Sequence, residues 1–300
     1  MIPRWFSFFT VQILARSLLV VMLLWLTACS RVAVNLPAVG EASGVHYTGR
    51  VIWHDLLTPD AAAAREFYSG LFGWQFESVS LWGEDSQYYL IRNGDAIIGG
   101  MLDTRHLRKD VRLVQWVSVF SSADVDAAVA QVRNTGGRVF NGATDVGNRG
   151  RLAVVADPQG GLFALLQTAA GDPPDGRAAT NGFLWDELWT NDSASARRFY
   201  RQLFGYELAS KALAGGEDYL YFTAGGQPRA AVIDNPLPGL EPTWVTYVRV
   251  ADPAATAAKA QALGGEVLLA PQDNPAGGQL AILRDPTGAG FIVQSWEEKR

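Results

Sequence analysis

Two short stretches hold the residue types with the most chemical promise: Trp53-His54-Asp55-Leu56-Leu57 and Trp185-Asp186-Glu187-Leu188-Trp189. In a β-strand, side chains alternate between faces, so Trp53, Asp55 and Leu57 share one face, as do Trp185, Glu187 and Trp189. Each face then sets a carboxylate beside indoles. Such an acid on an apolar wall is costly unless it is paired, hydrogen-bonded or protonated. Two readings follow. In one, Asp55 and Glu187 accept hydrogen bonds from neighbouring backbone or a Trp indole N–H and tie strands together. In the other, they anchor a polar or cationic group of a small, partly aromatic ligand. That ligand would stack on Trp53, Trp185 or Trp189, where stacking and cation–π terms contribute about 1 kcal/mol each.

The histidines are scattered. His54 alternates to the face opposite Trp53 and reads as a packing residue, His46 precedes the first strand, and His106 lies in a basic loop. Cysteine use is sparser still, because Cys29 is the only one in 300 residues and excludes an internal disulfide. Before it come Arg4, Arg16 and the apolar run Ser17 to Thr27, shorter than the roughly 20 residues of a membrane span. The run ends in Leu26-Thr27-Ala28-Cys29, which resembles the lipobox of bacterial lipoproteins. That resemblance implies a signal peptide at 1–28 and lipid on Cys29. It also implies attachment at the outer membrane facing the periplasm, since Ser30 stands where an inner-membrane retention Asp would be. Residues 29–48 mix Ala, Val, Pro, Gly and Ser without period and are expected to be a structureless tether. With 25 basic residues against 30 acidic ones, the chain has no electrostatic case for nucleic acid. Its expected partners are a small-molecule ligand and, through the lipid anchor, a membrane.

Positioning the two triplets requires a scaffold, and an internal repeat supplies it. Trp53, Asp60, Phe67, Tyr68, Leu71, Phe72 and Gly73 recur 132 positions later as Trp185, Asp192, Phe199, Tyr200, Leu203, Phe204 and Gly205. A second set, including Trp116, Asp124, Gly136, Asp157 and Phe163, recurs 128 positions later as Trp244, Asp252, Gly264, Asp285 and Phe291. The plan is therefore A-B-A-B, with one body at 49–170, a Pro/Gly-rich linker at 171–181 and a second body at 182–297. Each segment opens with a strand pattern, continues with an Asp-capped helix and adds three shorter strand patterns, which makes it βαβββ and the chain α+β. Such a unit leaves a sheet edge and a face uncovered, so pairing is expected. Trp116 and Trp244 suit core and pocket equally.

The motifs TPDAAAAREFYSGLFGW and TNDSASARRFYRQLFGY, with DPQGGLFALLQ and DPTGAGFIVQ, resemble the vicinal oxygen chelate superfamily of glyoxalases, bleomycin-resistance proteins and extradiol dioxygenases. The resemblance implies four modules paired into two eight-stranded cups. Its enzymes hold a divalent metal through His, Gln or Glu on the first strands and Glu on the last. Counted from the helix caps, those positions here are Trp53, Trp185, Val117 and Val245, with Ala164 and Ile292 on the last strands, so no metal and no other cofactor is expected. The W-x-[DE]-L pattern is similar to tandem metal-free members. The favoured expectation is a lipoprotein that binds a small, partly aromatic molecule in a metal-free cup. The alternatives are a divergent lyase, isomerase or dioxygenase-like enzyme using a metal or the Asp55 and Glu187 carboxylates, and a structural lipoprotein with filled cups.

Overall fold

The computed structural model describes residues 34–80, 87–106, 113–213, 216, 218–237 and 239–296; Cys29 and the signal read around it lie outside them. The first module comprises β1 (Val51–Thr58), α1 (Ala61–Phe72), β2 (Gln75–Ser80), β3 (Gln87–Asn93) and β4 (Ala96–Asp103). The second has β5 (Gln115–Ser121), α2 (Val125–Asn134), β6 (Arg138–Asp145), β7 (Gly150–Ala156) and β8 (Leu162–Thr168). The third has β9 (Phe183–Thr190), α3 (Ser193–Phe204), β10 (Glu207–Ala212), β11 (Asp218–Ala224) and β12 (Gln227–Asp234). The fourth has β13 (Thr243–Arg249), α4 (Pro253–Ala262), β14 (Glu266–Asp273), β15 (Gln279–Arg284) and β16 (Gly290–Gln294).

Local chemistry starts and stops these elements. Asp60, Asp124, Asp192 and Asp252 each cap a helix by accepting from backbone N–H groups two or three residues on. Gly73 and Gly205 end α1 and α3 at φ of 75° and 71°, the left-handed region where a side chain would be strained. The strand read at Arg138–Phe140 runs on to Asp145 because two register shifts let it bend along β7.

Consecutive modules pair. One sheet has the order β2-β3-β4-β1-β5-β8-β7-β6 and the other β10-β11-β12-β9-β13-β16-β15-β14. β1 runs antiparallel to β5 and β9 to β13, so the first strands of partner modules form the middle of each sheet. Each sheet curves into a cup, cup 1 from the first two modules and cup 2 from the last two.

The cups dock through their helix-bearing sides. Phe67, Tyr68 and Leu71 of α1 share one core with Ala257 and Ala260 of α4 and with Phe291 and Val293 of β16. The second core reciprocates, joining Val125 and Val129 of α2 to Phe199, Tyr200 and Leu203 of α3. Polar bonds fix the alignment twice over. Tyr68 donates to Asp285 at 3.0 Å while Trp116 Nε1 donates to the Tyr68 oxygen at 3.0 Å. In the other half Tyr200 donates to Asp157 and Trp244 to Tyr200, both also at 3.0 Å. Trp116 and Trp244 are therefore core residues, 2% exposed each, and line no cup.

The stretch expected to be a structureless tether is ordered from Val34 onward, because its apolar side chains and main-chain groups find partners on cup 1. Leu36 N–H donates to Val146 O, Asn148 N–H to Asn35 Oδ1, and His46 Nε2 to Thr168 O, all at 2.9 Å. Further along, Tyr47 N–H donates to the buried Asp172 carboxylate at 2.6 Å, which also receives the Ser121 and Thr168 hydroxyls. The linker read at 171–181 is thus anchored at its first residues. Among the described residues no helix is long and apolar enough to cross a membrane.

Removing the hydroxyl in Tyr68→Phe or Tyr200→Phe leaves a buried aspartate and indole short of a partner. Each variant should lose about 1–3 kcal/mol, seen as a lower midpoint in denaturant. Burial also raises the Asp157 carboxyl above its ordinary value, against the pull of the backbone N–H groups it accepts from. A raised acid contributes stability that is full at acidic pH and declines as pH rises through its folded-state value. Asp157→Asn should remove that part of the decline, checked by urea denaturation of both proteins from about pH 4 to pH 7.

Candidate functional site

The triplet faces point into the cups. In cup 1, Trp53 and Leu57 share a cluster with Tyr88 and Leu90 of β3, Val117 and Val119 of β5, and Leu166 of β8. Trp189 and Trp185 meet Val245 and Tyr247 of β13 and Ile292 of β16 in cup 2.

Each carboxylate sits in a network that its own neighbours build. Trp53 Nε1 donates to Asp55 at 3.0 Å and to the Tyr88 oxygen at 3.2 Å, and Tyr88 donates to Asp55 at 2.7 Å. The same Trp–Tyr–carboxylate arrangement recurs in cup 2. There Trp185 Nε1 donates to the Tyr219 oxygen at 2.9 Å and Tyr219 to Glu187 at 2.7 Å. Two more donors reach Glu187, Trp189 Nε1 at 2.7 Å and Tyr247 at 2.9 Å. The tyrosines escape notice in the sequence because each lies one hairpin away from its triplet. Their recurrence 131 positions apart, aligned by strand register, is the signal that marks them.

Burial raises the Tyr88, Tyr219 and Tyr247 phenols well above the ordinary tyrosine value, and the adjoining carboxylates add to the shift. All three stay protonated and act as donors. Among the described residues three donors fill three of the roughly four lone-pair sites of Glu187, and the remaining one lies on Oε1, which accepts from Tyr219.

The cups differ in what covers them. In cup 1, Trp53 is 1% exposed and Tyr88 3%, because Leu36 and Val39 of the amino-terminal segment sit in the same cluster. Arg149, from the turn between β6 and β7, completes the cover. Its guanidinium lies 4.4 Å from the Trp53 ring centre, donates to Tyr88 through Nη1 at 2.8 Å and to Pro37 O through Nε at 3.0 Å. The position 128 later is Gly277, so cup 2 has no such arginine. Trp185, Tyr219 and Tyr221 are only half-buried and meet solvent. Two surface clefts of about 360 Å³ lie elsewhere, one along α3 at Arg198 and Arg201 and one along α1 at Arg65 and Glu66.

His54 faces away from the cup, as alternation requires, and reaches Asp186 across the junction of the two sheets. Its Nε2 lies 3.0 Å from both carboxylate oxygens, its ring stacks on Phe183 at 3.9 Å, and Ser118 and Thr246 donate to the same aspartate. The four polar residues occupy equivalent repeat positions, 54 with 186 and 118 with 246, so they mark the pseudo-two-fold axis between the halves.

The residues do not suit a divalent metal. Trp53 and Trp185 stand at first-strand ligand positions and offer only donor N–H groups, Val117, Val245, Ala164 and Ile292 offer nothing, and Glu187 is engaged by three donors. Among the described residues, no three His, Cys, Asp or Glu side chains converge.

The family model described as "Glyoxalase/Bleomycin resistance protein/Dioxygenase superfamily" matches residues 45–165 and 182–293. CFP32 of Mycobacterium bovis, whose name places it provisionally among the glyoxylases, is 34% identical over 80% of this chain and 92% of its own length. DnrV of Streptomyces peucetius, named for anthracycline biosynthesis, is 33% identical over 83% and 94%. Among solved structures, the Mn(II)-bound glyoxalase of Novosphingobium aromaticivorans superposes with a TM-score of 0.58 at 14% identity, covering 84% of this chain and 83% of its own. A variant of homoprotocatechuate 2,3-dioxygenase from Brevibacterium fuscum gives 0.58 at 14% identity, covering 84% and 73%. At such identities the likeness speaks for the fold.

Two substitutions probe the packing of these networks. A Cβ on Gly100 would lie 1.8 Å from the Tyr88 oxygen and 2.3 Å from Asp55 Oδ1, so Gly100→Ala should force Tyr88 aside and cost about 1–3 kcal/mol. His54→Ala takes from the buried Asp186 one of its three side-chain donors and should cost about 1–3 kcal/mol. A double-mutant cycle with Asp186→Ala should return a coupling well above 1 kcal/mol.

Proposed function

The chain belongs to the glyoxalase/bleomycin resistance protein/dioxygenase superfamily, and on that ground we propose that it binds a small, partly aromatic molecule in cup 2 without a metal. The observation that carries this reading is Glu187, a carboxylate 3% exposed whose three donors hold it rigid while one acceptor site on Oε1 stays free beside the half-buried face of Trp185. A ligand that stacks on Trp185 and donates one N–H or O–H to Glu187 satisfies both. Leu237, Leu269 and Leu280 supply apolar contact around it. The names of the Streptomyces relatives fit this class, since an anthracycline is itself a partly aromatic molecule. Of the six triplet residues, Trp185, Glu187 and Trp189 are assigned to the ligand, while Trp53, Asp55 and Leu57 serve cup 1.

The free lone pair also favours a second reading, in which Glu187 takes a proton from the bound molecule and the protein is an enzyme. Exchange of ligand hydrogens for solvent deuterium in the presence of the protein would identify it. Plain binding predicts no exchange above the protein-free rate.

We further propose a lipid-anchored lipoprotein of the bacterial envelope, facing the periplasm from the outer membrane. The support is the basic start, short apolar run and Leu26-Thr27-Ala28-Cys29 in the sequence. Cys29→Ser should move the protein from the membrane fraction to the soluble one.

The binding proposal is tested by titrating a panel of aromatic amines, phenols and catechols and following intrinsic tryptophan fluorescence. Glu187→Gln and Trp185→Ala should each weaken the best binder by about tenfold or more, as expected for one charge-assisted hydrogen bond or one stacked ring. Asp55→Asn should leave it unchanged. Equal effects of Asp55 and Glu187 substitutions would remove the distinction between the cups.

A further inference from the structure

The geometry points to cup 1 as a second binding site, for an apolar molecule bearing one carboxylate, held shut by the chain's own residues 34–39. Arg149 carries the argument. It is 1% exposed, yet its Nη2 has no hydrogen-bond partner among the described residues. Unpartnered polar atoms on a buried charge are costly and rare. The two N–H groups on one edge of a guanidinium, Nε and Nη2, form the fork that grips both oxygens of a carboxylate. Here Nε donates to the single carbonyl oxygen of Pro37 while Nη2 donates to nothing. A main-chain carbonyl thus fills one prong of a two-pronged site.

The rest of the arrangement fits the same ligand. Nη1 is fixed on the Tyr88 hydroxyl and the guanidinium is stacked on Trp53, so the fork is held in place without the segment. Below it, Leu36 and Val39 fill the space lined by Leu90, Val119 and Leu166, where an apolar body would lie. The segment is itself held by few bonds, namely Leu36 N–H to Val146 O, Asn148 N–H to Asn35 and Arg149 Nε to Pro37 O. Gly147 makes that close approach possible, because a Cβ there would lie 2.0 Å from Asn35 Oδ1. Segment and ligand exclude each other, so the apparent affinity is the intrinsic one multiplied down by the fraction of chains with the segment out. Nothing here depends on the assignment of cup 2.

The test uses phenylacetate, and its neutral counterpart phenylacetamide, titrated calorimetrically into the full chain. Leu36→Ser with Val39→Ser weakens the segment's hold and should tighten phenylacetate binding by about tenfold or more, with a smaller gain for phenylacetamide. Adding Arg149→Lys, which keeps the charge and loses the fork, should abolish that gain. If the double-serine chain does not fold, Gly147→Ala pushes the same segment from its other side and should shift affinity in the same direction. Phenylacetate binding that is the same in native and segment-weakened chains, or indifferent to Arg149→Lys, would overturn the proposal. A ligand bound only at cup 2 would be indifferent to Arg149.

Discussion

The molecule depends on an exchange of aromatic helix faces between two halves that descend from one sequence. A single cup leaves its helix-bearing side apolar, and that side is covered only by the equivalent side of the other cup. Tyr68 of the first module bonds Asp285 of the fourth, and Tyr200 of the third bonds Asp157 of the second. Around each pair, rings pack edge to face and stacked, as with Tyr68 and Trp116 at 5.5 Å and Tyr200 and Trp244 at 5.2 Å, which adds about 0.5–1.5 kcal/mol per pair beyond area burial. The motifs that repeat most faithfully, the helix with its Phe-Tyr and the turn with its Asp-Pro, are therefore the docking surface. They fix the back of the cups and leave the front free to diverge.

That freedom explains the asymmetry at the front. Both cups keep the Trp–Tyr–carboxylate arrangement at the same repeat positions, with bonds of 2.7 to 3.2 Å. What surrounds it differs residue by residue. Val119 in cup 1 corresponds to Tyr247 in cup 2, Leu57 to Trp189 and Gly100 to Ala231, so Glu187 gains two donors that Asp55 lacks. Arg149 corresponds to Gly277, and among the described residues the amino-terminal segment packs on cup 1. Asp55 thus stays half-buried beside a covered Trp53, whereas Glu187 is buried beside a half-buried Trp185. Duplication has given two versions of one pocket with separate fates.

Much of this was legible from spacing alone. The offsets of 132 and 128 fixed four modules, the Asp caps fixed four helices, and period-two alternation placed Trp53, Asp55 and Leu57 on one face with His54 on the other. Periodicity could not decide Trp116 and Trp244, because a strand covered on both faces has no polar side to orient it. The amino-terminal segment was missed for a related reason: Val34, Leu36 and Val39 are too few to show a period, and their partners are scattered over four strands and a turn from Trp53 to Leu166. Arg149 left one trace, an arginine flanked by Gly147 and Gly150 in one half with glycine at its counterpart in the other. The His54–Asp186 pair was invisible, since each residue looked unremarkable until the two halves were set back to back.

The two equivalent cups differ at their tryptophans, Trp53 being covered by residues 34–39 and Arg149 while Trp185 stays half-buried. Hydroxyl-radical footprinting read by mass spectrometry tests this within a single molecule, because Trp53 and Trp185 occupy the same repeat position and differ only in what covers them. Rapid oxidation of Trp185 with strong protection of Trp53 is the expected outcome. Equal rates at the two tryptophans, or faster oxidation of Trp53, would contradict it.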